Sequence, residues 1–203
     1  MKRILLVLAG ALLAVSSAFA EQKMTCSLTV SPKGGESKVT KTGTSGLIGR
    51  SVSNLSNTGS KTIQRSLKWL AEVRFRNLKP EKLELKAYYI GYGDGGKTLK
   101  QLSNETHKLE LDKDGRASVE LDSPMTRLTK TRSRTTSSSR SGGFSSIKKT
   151  TSGERVTGCV VQVFADGQMV KSWSSDSRWT AAAGKTPFSV AELAAKSGRI
   201  GVK

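Results

Sequence analysis

The stretch "WLAEVRFRN", Trp69–Asn77, sets Trp69, Ala71, Val73 and Phe75 on one side of an extended chain and Glu72, Arg74 and Arg76 on the other. Successive side chains of a strand point to opposite faces, so one apolar and one charged row is the signature of a β-strand half-buried in a core. The following "LELKAYYIGY", Leu83–Tyr92, repeats the rule, with Leu83, Leu85, Ala87 and Tyr89 opposed to Glu84 and Lys86. Pro80, in the connection "LKPEK", marks a turn between the two.

The same period governs the chain on either side. "HKLELD" and "RASVELD" flank Asp112-Lys113-Asp114-Gly115 and predict a hairpin. "GCVVQVFA" and "QMVKSW" flank Asp166-Gly167, a dipeptide suited to the positive φ angles of a type I′ turn. "TCSLTV", Thr25–Val30, adds a further strand, and Lys38–Thr42, Lys61–Lys68 and Met125–Arg132 are weaker candidates. Only "PFSVAELAAKSG" predicts a helix. Ser189 is a good N-cap with Glu192 three residues on, Phe188 and Leu193 form a hydrophobic staple, and Gly198 suits the stop. Such a helix is expected to pack on one end of the sheets. Many short strands with few helical stretches predict an all-β fold, an immunoglobulin-like antiparallel β-sandwich with long Ser/Thr/Arg-rich loops and a short C-terminal helix.

At the amino terminus, Lys2 and Arg3 precede an apolar run from Ile4 to Val15, and the segment ends in Ala18-Phe19-Ala20. Residues 1–20 therefore read as a secretory signal peptide, and residues 21–203 as a single exported domain in the periplasm, on the surface or secreted. No later stretch approaches the ~20 apolar residues of a spanning helix, so the mature chain is expected to lack a transmembrane segment. Taking Lys2 and Arg3 from the 34 Lys and Arg leaves 32 against 16 Asp and Glu, a net +16 that attracts acidic partners. The two cysteines, Cys26 and Cys159, are expected to form one disulfide in an oxidising compartment.

Two stretches break the alternating pattern. Residues 33–68 carry seven cations and one acid, and residues 126–155 carry eight cations and one acid, amid Ser, Thr and Gly. They read as long loops or edge ribbons of the sandwich. In the second, "TKTRSRTTSSSRSGGFSSIKK" forms an internal cationic insertion between strands. Arg127, Arg132, Arg134, Arg140, Lys148 and Lys149 are the residues that would meet a polyanion there.

Motifs of catalysis are spelled but lack their context. "GYGDGG", Gly91–Gly96, matches the dinucleotide fingerprint, yet "KTLKQLSN" after it is a poor helix, so it reads as a turn. Ser145 and Lys148 give Ser-x-x-Lys, and Lys41-Thr42-Gly43 spells the KTG of penicillin-binding enzymes, but the order is reversed and the first lies in a Gly/Ser tract. His107 is the sole histidine, and it would have to serve any Ser-His or Cys-His device from the edge of a strand. Glu110 and Glu120 would face each other across the predicted hairpin, a pairing that needs a cleft to act. These patterns predict no enzyme, no metal and no cofactor.

The segment "ERVTGCVVQVFADGQMVKSWSSDSRW", 154–179, resembles a late hairpin of small exported bacterial proteins, through Val160, Val161, Val163, Phe164, Gly167 and Val170. Cys159 departs from it, standing where an aromatic is more usual. The chain is similar to secreted immunoglobulin-like proteins found beside type IV pilus components. That likeness implies a non-enzymatic accessory or adhesion role through contact with envelope or pilus-like proteins. The alternative from charge is a cationic module that binds lipopolysaccharide, acidic mucin glycans or extracellular DNA.

Overall fold

The computed structural model describes residues 25–47, 54–77, 79–139 and 142–197, so the leader segment, Arg140 and Gly198 lie outside the described residues. In chain order the strands are β1 (Thr25–Gly34), β2 (Ser37–Leu47), β3 (Asn54–Arg65), β4 (Lys68–Arg76), β5 (Leu83–Gly93), β6 (Thr98–Lys108), β7 (Arg116–Asp122), β8 (Thr126–Ser139), β9 (Gly142–Gly153), β10 (Arg155–Ala165) and β11 (Gln168–Ser174). A 3-10 turn (Ser177–Trp179), α1 (Thr180–Ala183) and α2 (Val190–Ser197) follow. Among the described residues the chain is all-β apart from this C-terminal part, with three antiparallel sheets.

Two of the sheets enclose the core. The front sheet has the order β1-β4-β7 and the back sheet β11-β10-β5-β6. Trp69, Ala71, Val73 and Phe75 of β4 face Leu85, Ala87 and Tyr89 of β5 together with Cys159, Val161 and Val163 of β10, all buried. The alternation read in β4 and β5 is thus the inward row of each sheet. The rings of Trp69 and Tyr89 stack across the core with centroids 6.1 Å apart. Each fully buried aliphatic side chain here contributes about 1.5–3 kcal/mol by leaving water.

Strand β10 is buried on both faces from Gly158 to Ala165, which explains its nearly unbroken apolar run. Its outer side chains, with Tyr88 and Ile90 of β5, are covered by the C-terminal segment through Trp179, Ala182, Ala183, Phe188 and Leu193. The predicted helix is present and begins just after Ser189. Instead of packing on one end of the sheets, it caps the outer face of the back sheet beside α1, which the sequence pattern did not announce. Buried Gln162 of β10 holds this cover, its Nε2 donating to the carbonyls of Ala183 and Lys185 at 2.7 and 2.8 Å.

The structure revises one predicted hairpin. Asp112–Gly115 does turn the chain, with Asp112 Oδ1 accepting from the Asp114 and Arg116 amides at 2.9 and 2.8 Å. Yet β6 before it pairs with β5 in the back sheet, while β7 after it pairs with β4 in the front sheet. The Pro80 connection likewise carries the chain from β4 in front to β5 behind. Period-two patterning fixes which face of a strand is buried, not which sheet the strand joins, so arches and hairpins look alike in sequence. The β10–β11 hairpin agrees with its signal, with Asp166 at φ 49° and Gly167 at φ 82°.

The long polar segments are strands, not loops. The β2–β3 hairpin replaces the connection between β1 and β4, the β8–β9 hairpin that between β7 and β10, and the two combine into a sheet of order β2-β3-β8-β9. Among the described residues these strands pair only with one another, and they form an arm of roughly 36–46 Å at ~3.3 Å per residue. At its root, the Thr126 hydroxyl donates to the Arg65 carbonyl at 2.8 Å and accepts from the Val156 amide at 3.1 Å. Lys100 pairs with Glu154 beside it. The motif "GYGDGG" begins inside β5, and the turn that completes it abuts the root, the Gly95 amide donating to the Gly153 carbonyl at 3.3 Å.

The expected disulfide is not formed, and Cys26 and Cys159 are free thiols. Cys26 sits in the field of Lys171, whose backbone pairs with Val163. Burial pushes both thiols up from their ordinary range. Protein unfolded without reductant is therefore expected to titrate two thiols per chain with an aromatic disulfide reagent; no titratable thiol would restore the bridge.

Candidate functional site

The arm departs most from what folding alone requires. Residues 37–47, 54–65, 126–139 and 142–153 hold ten Lys and Arg and no Asp or Glu. Register sorts them. Residues directly opposite on paired strands share a face, so the rows Lys41–Lys61–Lys130–Thr151 and Gly43–Gly59–Arg132–Lys149 lie on one side. The next row on that side carries Asn57, Arg134 and Ile147. Arg134 Nε donates to Ser145 Oγ at 3.2 Å.

The opposite side is built from hydroxyls. Its rows are Thr40–Thr62–Thr129–Ser152 and Thr42–Ser60–Thr131–Thr150, and beyond them Thr58–Ser133–Lys148. Cross-strand hydroxyls bond to each other, Thr42 with Ser60 at 2.7 Å and Thr62 with Thr129 at 3.2 Å. Both sides are open to water, so solubility does not explain why one is cationic and the other neutral across two full rows.

The sequence reading therefore found half of the cationic face. Arg132, Arg134 and Lys149 belong to it; Arg127 and Lys148 point to the hydroxyl side, and Arg140 is outside the described residues. Lys41, Lys61 and Lys130 were missed because they are far apart in sequence and meet only through pairing. A signal was present: "TKTGT" at 40–44 alternates hydroxyl with Lys or Gly, and "TKTRSRT" at 129–135 alternates hydroxyl with cation.

The side chains of Lys41, Lys61, Lys130, Arg132 and Lys149 surround a depression of about 710 Å³. Gly43 and Gly59 lie between them, and a Cβ on either would meet no atom within 4 Å. Like charges directly opposite in a sheet are destabilising by ~0.2–1 kcal/mol per pair, and no acid of the arm strands offsets them. A row that breaks a local rule of stability marks a candidate functional or strained site.

Elsewhere charges of both signs are mixed. The outer face of the front sheet has a depression of about 770 Å³ where Glu72, Glu110 and Asp112 mix with Arg74 and Arg116. Glu120 pairs instead with Leu70 on β4, so the imagined Glu110–Glu120 pair is not assembled. His107 Nε2 lies 3.2 Å from Glu105 Oε2, which also accepts from the Tyr89 hydroxyl at 3.0 Å. Ser145 and Lys148 stand on β9 while Lys41 stands on β2, at opposite edges of the arm. Among the described residues no group of His, Cys, Asp and Glu is placed to hold a metal, and no helix is long and apolar enough to cross a membrane. No protein-family model, curated protein or solved structure matches the chain.

Proposed function

We propose that this is an exported, non-catalytic binding module whose arm docks an acidic polymer on the face of Lys41, Lys61 and Lys130. The uncompensated lysine row carries this reading. Labelled A, B, C, C′, E, F and G in chain order, the body strands among the described residues give sheets A-B-E and G-F-C-C′, which supports an immunoglobulin-like sandwich as the scaffold. The leader-like residues 1–20 support export.

The test is the salt dependence of binding to immobilised acidic polymer. With about five cations engaged, log affinity falls with log salt at a slope near −4 to −5, because each contact releases roughly one counterion. Affinity that does not change with salt, or no binding at about 50 mM salt, would sink the idea.

Contact with an envelope or pilus-like protein is a second reading, and the open edges of the arm favour it. Among the described residues strand β9 is unpaired along one side, and it exposes Phe144 at 72% and Ile147 at 48%. An extended segment of a partner adds to such an edge by backbone hydrogen bonds. Its mark is capture that survives high salt and is lost in Phe144→Lys and Ile147→Lys.

A further inference from the structure

Deepening the arm reading, and resting on it, we propose that Gly43 and Gly59 form the floor on which a sugar ring lies, so the polymer is a sulfated or uronic-acid-bearing glycan. The two glycines stand directly opposite one another in the ladder between β2 and β3. A glycine inside a strand weakens it by roughly 0.5–1 kcal/mol relative to alanine, and it marks a bulge, a bend or a close approach of something else. The register of β2 with β3 runs without a bulge from Ser37 to Leu47. Neither glycine has positive φ, and a Cβ on either would meet no atom of the described residues within 4 Å.

The other strand glycines contrast with them. A Cβ at Gly91 would lie 2.5 Å from the Arg155 carbonyl oxygen, and one at Gly158 would lie 2.0 Å from Ser175 Oγ. Packing forbids side chains there; at Gly43 and Gly59 nothing in the fold does. What the missing side chains create is the bare floor of the depression, ringed by ammonium and guanidinium groups.

The chemistry of floor and rim selects the ligand. The ladder already uses the backbone N–H and C=O groups, so a glycine floor presents mainly C–H surface, which matches the C–H face of a pyranose ring. Thr151 and Asn57 supply neutral hydrogen-bonding groups on the same side. Acidic substituents projecting around a ring reach Lys41, Lys61, Lys130, Arg132 and Lys149 together. Single-stranded nucleic acid depends instead on stacking its bases on aromatic rings, and no aromatic side chain stands in these rows. The depression lies in the ~300–1,000 Å³ range of small-ligand sites.

The experiment compares wild type, Gly59→Val and Gly59→Ala against a sulfated hexasaccharide, its desulfated form and a single-stranded oligonucleotide, by calorimetry at about 50 and 200 mM salt. Wild type is expected to prefer the sulfated hexasaccharide. Gly59→Val is expected to keep or raise the melting temperature, because a β-branched residue suits a strand. It should weaken hexasaccharide binding about tenfold by lifting the ring from its contacts, with an unchanged salt slope since no cation is lost. Gly59→Ala should fall between them, and it decides the matter if the valine variant folds poorly. Equal binding by wild type and the folded variants overturns the floor and leaves the cationic face standing. Preference for the oligonucleotide overturns the glycan, and failure of wild type to bind either anion overturns both.

Discussion

Changing Lys41, Lys61 and Lys130 together to glutamine is expected to raise the melting temperature while removing most affinity for acidic polymer. The three ammonium groups stand on adjacent strands at one level, with no acid on any arm strand. Relieving two cross-strand repulsions of ~0.5 kcal/mol each adds about 1 kcal/mol, or ~3 °C for a domain of this size at low salt. Three lost contacts lower the salt slope by about three and weaken binding on the order of 10²–10³-fold at about 50 mM salt. Gain and loss move in opposite directions, which separates a binding site from a merely solvated face. A triple variant that melts lower would show that the lysine row is not destabilising, and one that binds as well as wild type would remove the row from any role in binding. Scanning calorimetry and a binding isotherm on the same preparation check both arms.

The second large effect concerns the root of the arm. Gly153→Val is expected to loosen the arm and leave the body folded. Gly153 has φ 95°, and a Cβ there would lie 2.1 Å from the Arg127 carbonyl oxygen, which accepts from the Glu154 amide at 2.8 Å. A β-branched residue at positive φ is strained by about 1–3 kcal/mol before the clash is added, so the local cost exceeds ~3 kcal/mol. Gly95 faces the same junction from the body, where a Cβ would lie 2.1 Å from the Thr151 carbonyl oxygen. Hydrogen exchange is the measurement. Amides of β8 and β9 should lose protection while those of β5 and β10 keep theirs, and uniform protection would show that the junction accommodates the side chain. Gly43→Val, in open space and without positive φ, is the matched control for stability.

These two sites show where the sequence spoke and where it did not. The strands of the body were legible because one face of each is buried: Trp69 to Phe75 and Leu83 to Tyr89 alternate as the core demands. Sheet membership was not legible, since the turn at Asp112–Gly115 has the same local chemistry whether its flanking strands pair or part. The arm read only as loops or edge ribbons with weak strand candidates, Lys38–Thr42, Lys61–Lys68 and Met125–Arg132, which overlap β2, β3 and β8, because both its faces meet water. Without a buried side there is no hydrophobic alternation, and "TKTRSRT" looked like low complexity although its hydroxyls and cations alternate strictly. The bridge between Cys26 and Cys159 was inferred from compartment and parity, and both are silent on where two residues fall along their strands. The lysine row depends on long-range register, which no local pattern contains.

The joining of front sheet and arm has a mechanical consequence. Strands β1, β4 and β7 pass directly into β2, β3 and β8, so the same chain segments form the body wall and the arm. Antiparallel ladder bonds lie across the strand direction. A pull applied to the arm along its strands therefore strains many rungs in parallel instead of peeling them singly. The load passes into the core sheet without crossing a flexible linker. Built this way, the arm is suited to hold against drag, and its weak direction is sideways, at the outer edges of β2 and β9.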